Sequence, residues 1–488
     1  MAKRPNVVLI MVDQWRGDCL GIDGHPTVQT RSVNQLALRG TRFGRAYSTT
    51  PSCVPARISL FTGLRAPTHG FVGFNDKVRW DYPVTLAGEF TRHGYQTQAV
   101  GKVHANPPRA QMGFQNVILH SALGIVRDAM QKGHDPGLVD DYIPWLKERL
   151  GAQAGAFDHG VDSNSVVARP WDKPEHTHYT NFVAEQSIDL LRRRDTDKPF
   201  FLFMSFNAPH PPFDPPAWAF DAYAKQVMPD PPVGDWVDIL EPYAQPHALS
   251  PQVAHLPPAE LQRARAGYYG HITHVDQQIQ RFLEALAQYG LTRDTYLCFV
   301  SDHGEMLGDH HLFRKSVPYE GSARVPLILV GPPGSGIRSG AATDALVELS
   351  DLMPTLLECA GLPIPDGVEG RSFLPLARGE SPAWRATLHG EHTTLGQSLQ
   401  WLTDGREKYI WFSGSGVEQL FDLTVDPTES HDLAPLAEYG ERLALWRRRL
   451  VEALDGREED FVQGGALVAG RPVNACLRHL RERAVSGD

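Results

Sequence analysis

The chain has 488 residues, 42% of them hydrophobic and 21% charged, a composition typical of folded globular proteins that excludes intrinsic disorder. Its formal net charge is −10 and it carries no basic run, so a nucleic-acid or anionic-membrane partner has no support. At roughly 100–200 residues per domain, the length predicts more than one domain or one unusually large domain.

The five cysteines are far apart, odd in number and form no C-x-x-C pair. This pattern favours a reducing compartment over a disulfide scaffold. The first apolar run, residues 7–12, is too short to span a membrane and has no small-residue cleavage site behind it. We therefore expect a cytoplasmic protein without a membrane span.

Short apolar runs alternate with helical patterns through most of the chain. Helical patterns cover residues 182–194, 264–288 and 352–360. Continuous apolar strands between amphipathic helices predict a mostly parallel sheet covered on both faces. The runs interpreted as strands of this sheet are residues 7–12, 97–100, 200–206, 295–300 and 325–330.

The pattern changes near residue 375. Short strands separated by turn residues are predicted at 386–390, 399–403, 408–412 and 419–423, followed by a helical pattern near 436–454. We expect an α/β domain over residues 1–375 and a small antiparallel domain over residues 376–488. The Pro-, Gly- and His-rich segments 105–180 and 211–258 are interpreted as long loop insertions that shape a pocket.

Polar residues able to bind a metal or to move a proton follow four of the predicted strands. Ligands of open α/β sheets bind beyond the carboxyl ends of the strands, so these positions indicate a site. Any one of them could be an ordinary turn residue, but four such strand ends together predict one site. The residues are Asp13 and Gln14, Lys102 and His104, His210, and Asp302 and His303.

The most specific motif is Cys53-Val54-Pro55-Ala56-Arg57. In a chain with 5 Cys and 38 Pro, chance predicts only about 0.03 occurrences of C-x-P-x-R. The motif precedes a helical run at residues 56–62, which places Cys53 at a helix N-terminus, where backbone N–H groups favour an anion. The alternative is a buried cysteine that packs as a small hydrophobic side chain.

From this motif the sequence resembles the type I sulfatases of the alkaline phosphatase superfamily over nearly its whole length. Residues 53–63 are similar to the sulfatase signature. Residues 6–14, 94–104, 208–213, 301–305 with Lys315, and 421–427 are similar to the other conserved elements of that family. The resemblance implies a large mixed, mostly parallel sheet sandwiched by helices, which is the catalytic domain, and a small C-terminal antiparallel α+β domain.

The resemblance implies hydrolysis of aryl or small alkyl sulfate monoesters. In that family a maturation enzyme converts the signature cysteine to formylglycine, and a hydroxyl of its hydrated form attacks sulfur in line. A base then deprotonates the second hydroxyl, sulfate leaves and the aldehyde returns. The implied catalytic residues are Cys53, Arg57, Lys102, His104, His210 and Lys315.

Each residue type suits its implied role. Lys102 and Lys315 would hold sulfate oxygens. His104 would be the base that releases sulfate, and His210 would protonate or hydrogen-bond the leaving oxygen, because imidazole titrates near neutral pH. Asn75 is a further candidate for a sulfate contact, with an ordinary loop position as the equal alternative.

The resemblance also implies one divalent metal, with Arg57 orienting the charge beside it. Oxygen ligands favour calcium, which is the first choice, whereas an imidazole ligand favours manganese. The Asp-Gln and Asp-His pairs also resemble those of choline sulfatases and phosphonate monoester hydrolases. The implied ligands are Asp13, Gln14, Cys53, Asp302 and His303.

Other functions stay open. A phosphonate monoester or phosphodiester hydrolase would use the same nucleophile, but Lys102 and His104 favour sulfate, because the phosphonate hydrolases carry hydroxyl side chains there. A two-metal phosphatase would place Ser or Thr at position 53, and a degenerate binding scaffold would lack part of the set. The sequence leaves the natural ester and homo-oligomerisation open. Candidates for the pocket rim are Trp80, Trp171, His178, Trp218, Glu391 and His392.

Overall fold

The structure, a computed structural model, describes residues 4–485. Residues 1–3 and 486–488, at the outer ends of the two predicted domains, lie outside the described residues. The strands are β1 (Asn6–Asp13), β2 (Thr41–Phe43), β3 (Ala46–Tyr47), β4 (Gln96–Gly101), β5 (Asn116–Leu119), β6 (Phe200–Pro209), β7 (Thr295–Ser301), β8 (Arg324–Val325), β9 (Leu327–Val330), β10 (Ala341–Thr343), β11 (Val347–Glu348), β12 (Leu388–Thr394), β13 (Gln397–Thr403), β14 (Glu407–Phe412), β15 (Glu418–Asp422), β16 (Val462–Gln463) and β17 (Ala466–Leu467).

Helices connect these strands and cover the sheets. None within residues 4–485 combines the length and the apolarity that a membrane crossing requires. The α-helices are α1 (Arg31–Arg39), α2 (Cys53–Thr62), α3 (Ala66–His69), α4 (Leu86–Arg92), α5 (Leu123–Gln131), α6 (Tyr142–Leu150), α7 (Tyr179–Arg193), α8 (Ala217–Ala224), α9 (Pro258–Gln288), α10 (Glu320–Ala323), α11 (Leu352–Cys359), α12 (Leu374–Ala377), α13 (Gly440–Leu454) and α14 (Arg478–Val485).

Eight strands form one large sheet in the order β10-β2-β9-β7-β1-β6-β4-β5. At its centre β1 pairs in parallel with β6 and β7, and β4 pairs in parallel with β5 and β6. Only β9 runs antiparallel to its neighbours within this sheet, so the sheet is mixed but mostly parallel. The predicted fold class is confirmed.

The central strand explains why its sequence is continuously apolar. Side chains along a strand alternate between the two faces, and helices cover both faces here. In β1, Val8, Ile10 and Val12 pack in a core with residues of α1, α7 and α9. The intervening residues Val7, Leu9 and Met11 pack in a second core with α2, α4 and α11.

A second, antiparallel sheet has the strand order β12-β13-β14-β15. Each of its strands overlaps one of the four short strands predicted after residue 375. Helix α13 covers one face, where Trp446 and Leu450 pack against Tyr409 and Leu420. The other face packs against the main body, so this sheet can contribute side chains to a site there.

The interpretation of residues 105–180 as a loop insertion was wrong in part. This segment contains β5, which pairs with β4 at the edge of the large sheet, and the helices α5 and α6. Strand β5 begins with exposed Asn116 and is fully buried only at Leu119. A half-exposed edge strand of four residues lacks the continuous apolar run by which the central strands were recognised.

Candidate active site

Four adjacent strands, β7, β1, β6 and β4, end at the same edge of the large sheet. Asp13 is the last residue of β1, while Lys102 follows β4 and His210 follows β6. Asp302 comes directly after Ser301, the last residue of β7. Neighbouring strands lie about 4.8 Å apart, so their ends bring these four side chains into one small region.

The backbone turns sharply where two of these strands end. Gln14 and His104 have φ of +70° and +67°, a left-handed conformation that is uncommon outside glycine. At Gly101, with φ +96°, an added Cβ would lie 1.8 Å from the carbonyl oxygen of Ser205. Only glycine permits this approach, after which the Lys102 N–H donates to the Ser205 carbonyl oxygen (3.1 Å).

Helix α2 delivers the signature cysteine. It begins at Cys53, three residues before the predicted start, and all ten of its residues are buried. Cys53 is only 2% exposed. Arg57 follows four residues later, so both side chains lie on the same face of the helix.

The Arg57 guanidinium joins the two acidic strand ends. Its Nε donates to Asp302 Oδ2 (2.9 Å), Nη2 donates to Asp13 Oδ2 (3.1 Å) and Nη1 donates to Ser205 Oγ (3.0 Å). Burial and the neighbouring Asp13 raise the pKa of Asp302 to about 6. Burial would also raise the pKa of Asp13, but Lys102, His210 and Arg57 hold it below its usual range.

Ligand atoms of Asp13, Cys53, Asp302 and His303 all lie within 4.8 Å of one another. His303 Nδ1 donates to the carbonyl oxygen of Gly304 (3.0 Å), so Nε2 carries a free lone pair. That nitrogen lies 3.7 Å from an oxygen of each carboxylate and 3.2 Å from Cys53 Sγ. Two carboxylates and a correctly oriented imidazole fit a divalent metal.

Gln14, the fifth predicted ligand, lies beside this cluster. Its side-chain amide nitrogen donates to Glu305, and its Oε1 accepts from Lys315 Nζ (2.6 Å). Its backbone N–H donates to Asp302 Oδ1 (3.1 Å). Glu305, which holds the Gln14 amide, belongs to the family-like segment at residues 301–305 but was not predicted as a site residue.

A second buried cluster, His178, Asp214 and His271, also has the spacing of a metal site. His178 Nδ1 accepts from the Thr180 N–H (3.1 Å), so the proton of the neutral ring lies on Nε2. That Nε2 is the atom that faces Asp214, at 3.9 Å. It has no lone pair to offer, and the cluster is better explained as a hydrogen-bonded network around Asp214.

Cations surround Cys53. Lys102 Nζ lies 3.5 Å from Cys53 Sγ and 2.6 Å from Asp13 Oδ2. Burial would raise the pKa of the Cys53 thiol, but Lys102, Lys315 and His303 hold that pKa well below its ordinary value. The position therefore favours a negatively charged group.

Two histidines, His104 and His210, line the same cavity as Cys53. Burial and Lys102 lower the pKa of His104. Burial and Lys315 lower the pKa of His210 to about 4. His210 Nδ1 donates to the Pro211 carbonyl oxygen (2.7 Å), so Nε2 is the nitrogen left for chemistry.

These groups open onto a cavity of about 400 Å³, lined by Cys53, Lys102, His104, His210 and Lys315 among others. Asn75, the further candidate for a sulfate contact, is not among the residues that line it. Asn75 Oδ1 accepts from the Lys77 N–H (3.0 Å) within its own loop. The exposed ring of Phe74 lines the mouth, with its centroid 6.0 Å from that of His104.

Of the six rim candidates, His392 lines the cavity and the other five do not. His392 lies on β12 of the small sheet, and its Nε2 is 2.7 Å from Ser52 Oγ, next to Cys53. Cavity residues that the sequence did not identify include Asn164, Gln252 and Arg314. For Arg314 the adjacent Lys315 was the only available signal.

Comparisons with known proteins agree with this geometry. Residues 5–362 match the family model described as Sulfatase, and residues 308–455 match the one described as N-sulphoglucosamine sulphohydrolase, C-terminal. An arylsulfatase of Clostridium perfringens is 44% identical, over 98% of this chain and 100% of that protein. A choline-sulfatase of Rhizobium meliloti is 29% identical, over 88% and 82% of the two chains. The crystal structure of the phosphonate monoester hydrolase of Agrobacterium radiobacter has a TM-score of 0.77 at 28% identity, over 92% and 95% of the chains.

Proposed function

The chain belongs to the sulfatase family and hydrolyses sulfate esters, and from that premise we propose that it cleaves aryl or small alkyl sulfate monoesters with formylglycine formed from Cys53 and one divalent metal. The convergence of Cys53, Lys102, His104, His210 and Lys315 on one cavity carries the proposal. Formylglycine, when hydrated, supplies a hydroxyl nucleophile in place of the thiol.

The proposed metal ligands are Asp13, Gln14, Cys53, Asp302 and His303, with calcium as the first choice and manganese as the alternative. When bound, the metal offsets the charge of the sulfate and polarises the nucleophile. Arg57 holds Asp13 and Asp302 in place through hydrogen bonds to one oxygen of each. Lys315 holds the Gln14 amide by its oxygen.

The two lysines are proposed to bind the sulfate oxygens. Asp13 and Cys53 outweigh the effect of burial and raise the pKa of Lys102, so Lys102 stays charged. Burial lowers the pKa of Lys315. An anion bound beside Lys315 would raise this pKa, so sulfate and the charged lysine stabilise each other.

The two histidines divide the proton transfers. A lowered pKa keeps His104 neutral, and a neutral imidazole can accept the proton of the second hydroxyl when sulfate leaves. His210 can donate only from Nε2, because its Nδ1 proton is held by Pro211. It must therefore first take a proton at Nε2 before it can protonate the leaving oxygen.

A second candidate function is phosphonate monoester hydrolysis, favoured by the fold likeness to the Agrobacterium enzyme. The Lys102–His104 pair and the full-length arylsulfatase likeness favour sulfate. With protein matured in a host that forms formylglycine, we expect kcat/KM for 4-nitrophenyl sulfate to exceed that for 4-nitrophenyl phenylphosphonate by about 100-fold or more. The two esters share their leaving group, and the reverse order would support the phosphonate alternative.

Metal removal gives a second prediction. Dialysis of the mature enzyme against a chelator is expected to abolish turnover and to lower the melting temperature, because Asp13 and Asp302 then lack a shared cation. Restoring Ca²⁺ or Mn²⁺ at about 100 times its Kd should add about 2.7 kcal/mol to the free energy of unfolding. Asp302→Asn is the control, and added metal should restore neither its turnover nor its stability. Full activity in protein with no measurable metal would contradict the proposal.

Access to Cys53 bears on its maturation. Cys53 is 2% exposed in the folded chain, and both its neighbours in α2 and the strand ends are buried. We therefore propose that the maturation enzyme acts on the chain before it folds. We also propose a reducing location, since all five cysteines are free.

A further inference from the structure

The cavity wall contains polar atoms that the proposed sulfate chemistry does not use. Asn164 Oδ1, Arg314 Nε and His392 Nδ1 are buried, and none has a hydrogen-bond partner among the described residues. All three side chains line the same cavity as Cys53. Buried polar groups nearly always have partners, so these three atoms are available to hydrogen-bond water or the polar groups of a ligand in this cavity.

Arg314 is the charged member of this group. Its guanidinium makes one long contact, from Nη1 to the Ser250 carbonyl oxygen (3.4 Å), and forms no ion pair with any described residue. The nearby Glu305 carboxylate already accepts from the backbone N–H groups of Leu307 (2.9 Å) and Arg314 (2.5 Å) and from the Gln14 amide. A half-buried guanidinium without a carboxylate favours an external anion.

The backbone fixes Arg314 in this place. Arg314 has φ +66°, and Ser316 has φ +80°, so the chain is strained on both sides of Lys315. The Arg314 carbonyl oxygen accepts from the Met306 N–H (2.8 Å), and its own N–H is held by Glu305. This arrangement makes two consecutive cations, Arg314 and Lys315, line one cavity.

The cavity wall has more positively charged side chains than a simple sulfate monoester needs. A sulfate monoester carries one negative charge, and Lys102 and Lys315 already face it. We propose that the alcohol part of the natural ester carries a second anionic group, a carboxylate or sulfate, and that Arg314 binds it. This inference rests on the proposed sulfatase function of the same site. Asp76 is a carboxylate that also lines the cavity, and it forms no ion pair with Arg314.

The test uses matched aryl sulfates. One member of each pair carries a carboxylate or a sulfonate at the ortho, meta or para position, and the other carries the neutral carboxamide or sulfonamide there. For the best-placed isomer we expect mature wild-type enzyme to prefer the anionic member by about 10- to 100-fold in kcat/KM. The carboxylate and sulfonate series distinguish the two kinds of anion.

The variants assign the preference to one side chain. Arg314→Gln is expected to lower the ratio of kcat/KM values for the anionic and the neutral ester. The ratio should come close to the ratio of the rates at which the two esters hydrolyse without enzyme. Arg314→Lys should keep part of the preference, because lysine keeps the charge. Lys225→Gln, which removes one exposed positive charge outside the cavity wall, should leave the ratio unchanged. Because each ratio compares two substrates on one enzyme, partial loss of folded or matured protein cancels.

The outcomes separate this inference from the proposed function. If wild-type enzyme hydrolyses none of the aryl sulfates, the proposed function fails. If it hydrolyses them without preferring the anionic member of any pair at low salt, the second-anion inference is overturned, whatever the variants do. A preference that survives in folded Arg314→Gln would overturn the assignment to Arg314.

Discussion

Replacing Cys53 with alanine is expected to lower kcat/KM for aryl sulfates by about 10⁴-fold or more, because it removes the nucleophile. The buried metal cluster would keep Asp13, Asp302 and His303, so metal content should fall far less than activity. Cys53→Ser is the more informative of the two variants. Serine has a hydroxyl, but it has no sulfur to lose, so the conversion that turns this cysteine into formylglycine in the same host cannot act on it.

Mass spectrometry of the peptide that contains Cys53 tests whether formylglycine is the nucleophile that the Cys53 variants lack. Active wild-type enzyme is expected to be lighter than its sequence by the difference between a thiol and an aldehyde. The control is Cys298→Ala, a buried cysteine on β7 that lies in the core below the sheet edge. It should cost about 1 kcal/mol of stability and leave turnover near the wild-type rate. An unmodified thiol in active, metal-bound enzyme would contradict the formylglycine mechanism.

The central part of the site could be predicted because the chain itself orders it. Asp13, His210 and Asp302 follow continuous apolar strands, Lys102 follows the more polar strand β4, and parallel strands bring their carboxyl ends to one edge. The strands and their direction are enough to locate the four strand ends. The individual roles of the residues stay predictions.

The cavity wall could not be predicted in the same way. Asn164 and Arg314 come from a loop and from a strained turn, and no periodic pattern connects them. Of the six rim candidates that the sequence offered, only His392, on the small sheet, lies in this wall. The hydrogen-bond partners of the Gln14 side chain could not be predicted from the sequence either. The sequence predicted a metal ligand, but whether its oxygen turns to a metal or to Lys315 depends on Glu305, which lies 291 residues away in the chain.

Replacing Arg57 with lysine is expected to lower the free energy of unfolding of the metal-free protein by about 3–5 kcal/mol. Arg57 and both of its carboxylate partners, Asp13 and Asp302, have side chains that are 0% exposed. A lysine has one nitrogen and cannot reach both carboxylates and Ser205 at once. At least one buried carboxylate would then lose its hydrogen bond to residue 57, although Asp13 keeps its ion pair with Lys102, and denaturant unfolding would measure the cost.

The matched control is Arg193→Lys, the same substitution at an ion pair with Asp189 in which the arginine side chain is 71% exposed. It should change stability by no more than about 0.5 kcal/mol, because exposed pairs contribute little. A metal shared by Asp13 and Asp302 would offset the charge of a carboxylate that has lost its hydrogen bond to residue 57 in Arg57→Lys, so saturating metal should recover much of the stability. It should not recover turnover, which we expect to stay about 10²- to 10³-fold below wild type, because the planar guanidinium alone fixes both carboxylates in the geometry that orients the nucleophile. If the two arginine variants lost equal stability, Arg57 would not be the group that holds the site together.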